Sequence, residues 1–172
     1  MSYTPWVTIF LIFFLFLHTY ADLIYDVCKQ TRNNNLCINT LKSNVNSSSA
    51  DAKGLAHIMI QAARDKAAHN LVYVRELMIQ NSTNPDFEQC LQVCYEDYHL
   101  IVTAFIPNAL QSLSSNSSFD AAVSILLSAD QLSNCQDSNC VNLSSSLNDR
   151  CNEYADFAQL VVDVLRNVKN NY

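Results

Sequence analysis

The seven cysteines are the residues whose type and spacing most directly allow chemistry, because a thiol can form a disulfide, bind zinc or act as a nucleophile. They form a pair nine residues apart, a group made of two close pairs, and one isolated residue: Cys28 and Cys37; Cys90 and Cys94 with Cys135 and Cys140; and Cys151. Spacing alone leaves several disulfide connectivities open. Disulfides are the expected outcome if the chain is exported to an oxidising compartment.

A four-thiolate zinc site is the alternative for the group of four cysteines. Its spacings would be C-x3-C and C-x4-C, which are loose for a structural zinc site, and an oxidising compartment works against free thiolates. We therefore expect no metal. Cys151 lies on the apolar stripe of the last predicted helix, so we interpret it as a buried, inert free thiol rather than as a nucleophile.

The remaining polar residues show no catalytic pattern. His57, His69 and His99 belong to no HExxH motif, and we interpret them as surface or helix-edge histidines. Glu96 and Asp97 are neighbours in sequence and point apart on a helix, so we expect a solvated face rather than a glycosidase pair. The sequence thus predicts a binding protein that is not an enzyme.

Composition excludes further classes of function. The chain has 10 Lys and Arg against 16 Asp and Glu, with a net charge of −6, so its surface would repel nucleic acid and attract a basic partner. Its single glycine, Gly54, cannot supply a phosphate-binding loop or a dinucleotide fingerprint. We therefore expect neither a nucleic-acid partner nor a cofactor.

Residues 1–21 are predicted to be a signal peptide. They contain no Asp, Glu, Lys or Arg, and the apolar run from Trp6 to Leu17 is shorter than the roughly 20 residues that span a bilayer. The small residues Thr19 and Ala21 indicate cleavage after Ala21. An uncleaved membrane anchor is the alternative; after cleavage we expect no membrane association.

Four Asn-X-Ser/Thr sequons agree with export. They fall in the polar stretches between apolar segments, where a glycan could be tolerated, and make glycosylation candidates of Asn46, Asn81, Asn116 and Asn142.

Four long segments carry apolar residues at steps of three and four, the pattern of an amphipathic helix. They run over residues 51–80, 84–113, 118–132 and 145–169, joined by polar linkers of which the last is 133–144. No strand pattern competes. The predicted fold class is all-α, an up-down-up-down four-helix bundle.

The sequence also indicates where these helices begin and break. Ser49, Asn84 and Ser118 are predicted N-caps, and Pro85 suits the first helical position after Asn84. Pro107 is expected to interrupt the second helix about one turn earlier.

Two shorter helical pieces, at residues 23–29 and 36–43, precede the bundle. A bridge between Cys28 and Cys37 would make them a disulfide-linked N-terminal helical hairpin and would contribute about 2–3 kcal/mol. We therefore expect one domain over residues 22–172, with the hairpin at 22–45 and the bundle at 50–169.

The antiparallel packing of neighbouring bundle helices favours one pairing of the other cysteines. Stepping back from Cys94 to Cys90 runs in the same direction in space as stepping forward from Cys135 to Cys140. This favours Cys94–Cys135 together with Cys90–Cys140, and leaves the other pairings open.

Several of these features resemble the plant invertase/pectin methylesterase inhibitor family over essentially the whole chain after residue 21. They are the Cys28-x8-Cys37 hairpin, the segment around Gly54, the Cys94-x3-Tyr98 motif and the helix end from Ser128 to Cys135. The resemblance implies a secreted, disulfide-stapled bundle that blocks the substrate cleft of a cell-wall or vacuolar enzyme. It maps the two family disulfides onto Cys28–Cys37 and Cys94–Cys135.

The resemblance leaves the target open between pectin methylesterase and acid invertase. Inhibitors of the invertase branch carry Pro-Lys-Phe at the start of the third long helix, where this chain has Ser117, Ser118 and Phe119. The missing lysine removes a cation that would meet glycosidase carboxylates. We therefore interpret Phe119 as a first-turn core residue, with a partner contact as the alternative. The stretches 55–67 and 103–110 look more like the invertase branch, whereas the N-terminal hairpin looks closer to the pectin methylesterase inhibitors, and we favour pectin methylesterase.

The expected location is the apoplast or cell wall, with the vacuole as an alternative. A secreted helical carrier of a small apolar ligand is the competing function of another class.

Overall fold

A computed structural model of the protein describes residues 23–81, 84–137 and 145–169. The predicted signal peptide lies outside the described residues. Within them every regular element is a helix, so the all-α prediction is confirmed.

The first described residues form the predicted hairpin. Residues 23–28 form α1, and α2 covers Asn34–Ser43 after the Asn33 side chain, which accepts the Leu36 N–H at 3.1 Å. A disulfide joins Cys28 to Cys37, with their Cα atoms 5.7 Å apart.

The long helix α3 covers Ala52–Gln80 and follows a 3-10 helix at Val45–Ser49. The prediction of Ser49 as its N-cap is wrong: Ser49 ends the 3-10 helix, and the Asp51 carboxylate accepts the Gly54 N–H at 2.7 Å. A Cβ on Gly54 would lie 3.0 Å from the Ala50 Cβ and 3.2 Å from the Asp51 carboxylate. The one glycine of the chain thus permits close packing against its own cap.

The second long helix is interrupted about one turn before Pro107, as predicted. It consists of α4 at Pro85–Leu100, a π-helical segment at Ile101–Phe105, and α5 at Ile106–Ser114. The predicted N-cap is confirmed, since the Asn84 side chain accepts the Phe87 N–H at 3.2 Å. Before Pro107, which has no N–H to donate, the Ile106 N–H bonds to the Ile101 carbonyl, one residue further back than in an α-helix.

The third helix, α6, covers Ser118–Gln131, and Ser117 rather than Ser118 is its N-cap. A short helix, α7, follows at Ser133–Asp137, where the sequence predicts only linker. The last helix, α8, covers Ser145–Lys169.

The helices form a ring in which α3 packs on α4 and α8, and α6 packs on α5 and α8. The predicted stripe of α8 is buried throughout, from Leu147 to Val168. The hairpin joins the same core through Ile24, Val27 and Leu41. The predicted bundle architecture is thereby confirmed. No described helix is both long enough and apolar enough to cross a lipid bilayer.

Ion pairing and a backbone contact tie the hairpin to α8. The Arg32 guanidinium and backbone N–H both donate to the Asp163 carboxylate, with Nε 2.9 Å and N 3.0 Å from Oδ2. The Asn167 side chain donates to the Val27 carbonyl at 2.9 Å.

Candidate functional site

A second disulfide closes the bundle near one end. Cys94 of α4 is joined to Cys135 of α7, with Cα atoms 4.5 Å apart, so these two thiolates are not available to zinc. Cys90 is also disulfide-bonded. Its predicted partner Cys140 lies outside the described residues, so the Cys90–Cys140 pairing stays a prediction.

Beside this disulfide, Asp97 holds α7 in place. Its carboxylate accepts hydrogen bonds from the Gln131 and Asn134 side chains, at 2.7 and 3.4 Å, and from the Cys135 N–H at 3.0 Å. The side chain is buried, so the prediction of a solvated face at Glu96 and Asp97 is correct for Glu96 alone. Burial raises the pKa of the Asp97 carboxyl above its ordinary value, and the three donors act against that rise.

A buried polar cluster lies next to the same disulfide. Tyr98 accepts from the Asn70 amide at 3.2 Å and donates to the Cys151 sulfur at 3.5 Å. Tyr154 lies 2.8 Å from the Ser128 hydroxyl. Burial raises the pKa of Cys151 and of both tyrosines, which keeps them neutral. Cys151 is a free, buried cysteine in the structure.

The three histidines after residue 22 are exposed, as predicted, and His99 stacks on Tyr95 with ring centroids 6.1 Å apart. Within the described ranges no three His, Cys, Asp or Glu side chains come together as a metal site would require.

The clearest candidate for binding is an exposed apolar face on α6. Phe119 is 67% exposed, Val123 37% and Leu127 48%, and their spacing of four residues places them on one side of the helix. The interpretation of Phe119 as a core residue is therefore wrong. Exposed apolar side chains grouped on one side of a helix are a feature of interaction sites.

Next to these residues lies an open groove of about 360 Å³ between α6 and α8. Its walls are mainly apolar, and its lining comprises Ser118, Phe119, Ala122, Val123, Leu126, Leu165 and Arg166. We call this groove together with Leu127 the α6–α8 face. No sequence pattern indicates Arg166, because only the packing of the helices brings the end of α8 beside the start of α6.

Charges at the start of α6 are mixed. The Ser117 hydroxyl bonds to the Asp120 carboxylate and accepts its N–H, so Ser117 is occupied as an N-cap. Arg166 is exposed on the α8 side of the groove. Asp120 thus lies next to Phe119 in sequence, and Arg166 lines the same groove as Phe119.

The sequons differ in accessibility. Asn46 is exposed, whereas the Asn81 side-chain nitrogen, the atom that a glycan would modify, donates to the Leu77 carbonyl at 2.8 Å. Asn116 is exposed with φ of 61° and accepts from the Lys53 ammonium at 2.7 Å. Asn142 lies outside the described residues. Glycosylation at these positions stays a prediction.

These features define a class of protein: a disulfide-stapled helical bundle with an exposed apolar face. The chain belongs to the plant invertase/pectin methylesterase inhibitor family, whose model matches residues 22–166. The resemblance inferred from the cysteines is thereby confirmed.

Curated relatives include inhibitors of both kinds of enzyme. The chain is 32% identical over 94 residues to "Cell wall / vacuolar inhibitor of fructosidase 1" of Arabidopsis thaliana, which is 55% of this chain and 44% of that protein. It is 34% identical over 76 residues to a pectinesterase inhibitor of Actinidia deliciosa, which is 44% of this chain and 40% of that protein. The matches thus span less than half the length of either relative.

A solved structure supports the fold. The protein resembles a mutant form of a pectin methylesterase inhibitor from Arabidopsis with a TM-score of 0.65 at 16% identity, covering 81% of this chain and 93% of that one. At this identity the likeness establishes the shared helical fold.

Proposed function

We propose that this chain is a secreted inhibitor of pectin methylesterase, and that it covers the substrate cleft of the enzyme with its α6–α8 face. The observation that carries the proposal is the exposed row of Phe119, Val123 and Leu127 on a helix whose other side is packed into the bundle. Family membership supports inhibition as the general activity.

The mechanism is steric occlusion. A specific protein interface buries about 1,600 Å² in total, so the α6–α8 face would form its centre and the surrounding polar residues its rim. The Cys94–Cys135 disulfide and the single core keep this face rigid. Rigidity lowers the entropy that is lost on binding and thereby favours affinity.

Charge favours pectin methylesterase as the target. This enzyme removes methyl esters and leaves a polymer with carboxylate groups, so a cleft that retains this polymer attracts acidic partners. The chain has a net charge of −6, and Asp120 lies at the start of α6 where inhibitors of the invertase branch carry a lysine nearby.

Acid invertase is the second candidate, and the exposure of Phe119 favours it. In the invertase branch of the family, the corresponding phenylalanine enters the enzyme active site together with a lysine. Ser118 replaces that lysine here, but Arg166 of α8 lines the same groove as Phe119. A guanidinium at this position could meet the carboxylates of a glycosidase.

Parallel inhibition assays against pectin methylesterase and acid invertase test both candidates. We expect the purified protein to inhibit the esterase. Phe119→Ala should weaken inhibition about fivefold or more, because truncating an aromatic residue at the centre of an interface commonly costs over about 1 kcal/mol.

The matched control is Ile79→Ala. Ile79 is 70% exposed, close to the 67% of Phe119, but lies on α3, which is diagonally opposite α6 in the ring. This variant should inhibit like the wild type. Loss of inhibition in both variants, or in neither, would rule out the α6–α8 face as the contact.

Ser118→Lys separates the two targets, because it restores the cation of the invertase branch. If invertase is the target, this variant should inhibit invertase more strongly than the wild type does. If the wild type inhibits invertase and leaves the esterase active, the second candidate replaces the first. Inhibition of neither enzyme would refute both.

A further inference from the structure

Three sulfur atoms lie together in the core at the junction of α4, α7 and α8. Cys94 and Cys135 form a disulfide, and the free thiol of Cys151 lies 3.7 Å from the Cys135 sulfur. All three side chains are at most 1% exposed. Reacting atoms that are ready for attack lie about 3–3.5 Å apart, so a shift of a few tenths of an ångström brings the Cys151 sulfur into range.

We propose that Cys94, Cys135 and Cys151 form an internal disulfide-exchange site, in which the Cys94–Cys135 bridge converts to Cys135–Cys151. The function of this site is to move the covalent anchor of α7 from α4 to α8. The inference is independent of which enzyme the protein inhibits.

The exchange is balanced without an outside oxidant. Cys151 loses its proton to solvent base, and its thiolate attacks the Cys135 sulfur. The new bond forms between Cys151 and Cys135 while the bond between Cys135 and Cys94 breaks. Its electron pair leaves on Cys94, which then takes up a proton, so one disulfide and one thiol are present before and after.

The surroundings of Cys151 control when this reaction occurs. Tyr98 donates a hydrogen bond to its sulfur, which favours the thiolate, whereas burial and the nearby Asp97 carboxylate disfavour it and raise the pKa of the thiol. Tyr98 and Asp97, both from α4, are the titratable groups of the described residues that act on this thiol. The exchange is therefore slow in the closed bundle and accelerates with pH.

Asp97 also sets the freedom of α7. Its three hydrogen bonds to residues 131–135 hold Cys135 against Cys94. Removing this carboxylate gives α7 more freedom to move and leaves all three cysteines unchanged. Asp97 is thus a positioning residue for the exchange, and Asp97→Ala is expected to accelerate it.

The shorter sequence separation of Cys135 and Cys151 favours the bridge between them during folding. The Cys94–Cys135 bridge closes a separation of 41 residues, whereas Cys135 and Cys151 are 16 apart. Because the probability of loop closure falls roughly as the −3/2 power of length, the shorter loop closes about four times more readily in an unfolded chain. An early Cys135–Cys151 bridge can then pass to Cys94 through the same exchange.

Mapping the free thiol tests the proposal in the purified secreted chain. Samples are incubated at pH 7, 8 and 9, quenched with acid, alkylated in denaturant and digested, and the labelled cysteine is identified by mass spectrometry. We expect the label to move from Cys151 to Cys94, with an initial rate that rises about tenfold per pH unit because the thiolate is the nucleophile. The rate should not depend on protein concentration.

Two variants make the outcome decisive. Cys151→Ser removes the attacking sulfur and should show no label on Cys94 at any pH. Cys94→Ser leaves Cys135 and Cys151 as two thiols, and the oxidising compartment through which the chain is expected to be exported should oxidise them to a Cys135–Cys151 bridge, leaving both residues unlabelled. The proposal is overturned if the wild type carries the label on Cys151 alone after incubation at pH 9. That mapping decides the question even if Cys94→Ser does not fold.

Discussion

The buried pair of Ser128 and Tyr154 provides a sharp test of how hydrogen bonds hold this core together. Both side chains are fully buried, and their hydroxyl oxygens are 2.8 Å apart. Ser128 also donates to the Ile125 carbonyl at 2.6 Å. Because a serine hydroxyl has one hydrogen, Tyr154 must be the donor to Ser128.

The two truncations are therefore unequal. In Ser128→Ala the Tyr154 hydroxyl stays in the core without an acceptor, which should lower the free energy of unfolding by about 1–3 kcal/mol. In Tyr154→Phe the Ser128 hydroxyl keeps its Ile125 partner, so the loss should be about 0.5–1.5 kcal/mol. The double variant leaves no unpaired donor and should be less destabilised than the sum of the two.

Urea unfolding followed by circular dichroism gives these free energies, and thermal unfolding gives an independent check. A loss of 1 kcal/mol corresponds to about 2–4 °C in Tm for a chain of this size. The reasoning fails if Tyr154→Phe is the more costly change, or if the two losses simply add in the double variant.

Three further predictions concern the hairpin, pH and salt. Asp163→Ala should lower the free energy of unfolding by about 1 kcal/mol; the effect is small because Arg32 is half exposed and solvent screens the ion pair. It should also speed amide hydrogen exchange in residues 23–43 relative to α3. Burial raises the pKa of Asp97, so the folded state binds a proton more tightly than the unfolded chain does, and stability is lost as pH rises through the folded pKa. In urea unfolding, the free energy of unfolding of the wild type should therefore rise relative to that of Asp97→Asn as the pH falls from 7 to 4. A difference that stays constant with pH would contradict this. The association rate with the esterase should fall as the salt concentration rises, because attraction between opposite charges speeds the encounter. Stopped-flow association rates that do not depend on salt concentration would contradict this.

Regular periodicity made most of the fold predictable from the sequence. The α8 stripe alternates between steps of three and four without a break, so one face is defined and every predicted member of it is buried. The cap at Asn84 was equally clear because asparagine, proline and an acidic first turn coincide there.

The buried side of a helix was predicted wrongly where apolar residues occur on several of its sides. In α6 the residues Ala121, Ala122, Val123, Ile125, Leu126 and Leu127 surround much of the helix. Steps of four from Ala122 predict a buried Leu126, which is half-buried, whereas the structure fully buries Ile125. Phe119 is predicted to lie in the core because the lysine of the invertase branch is missing beside it, and only the packing of α6 against α5 and α8 shows that it faces outward.

Tertiary contacts that no local pattern encodes account for the rest. The five residues of α7 have no apolar stripe, and they are held by the Asp97 carboxylate and by the bridge from Cys94. Spacing likewise cannot reveal that Cys151 touches Cys135, or that Arg166 lies beside the start of α6.

The docking of the hairpin onto α8 has a consequence for biosynthesis. Arg32 and Asp163 are 131 positions apart, so the first element of the domain needs one of the last. At about 5–20 residues per second, the ribosome makes Asp163 roughly 7–26 s after Arg32. During that interval the hairpin has only its local crosslink to hold it, and its apolar side must be kept from other chains while the rest of the polypeptide is being made.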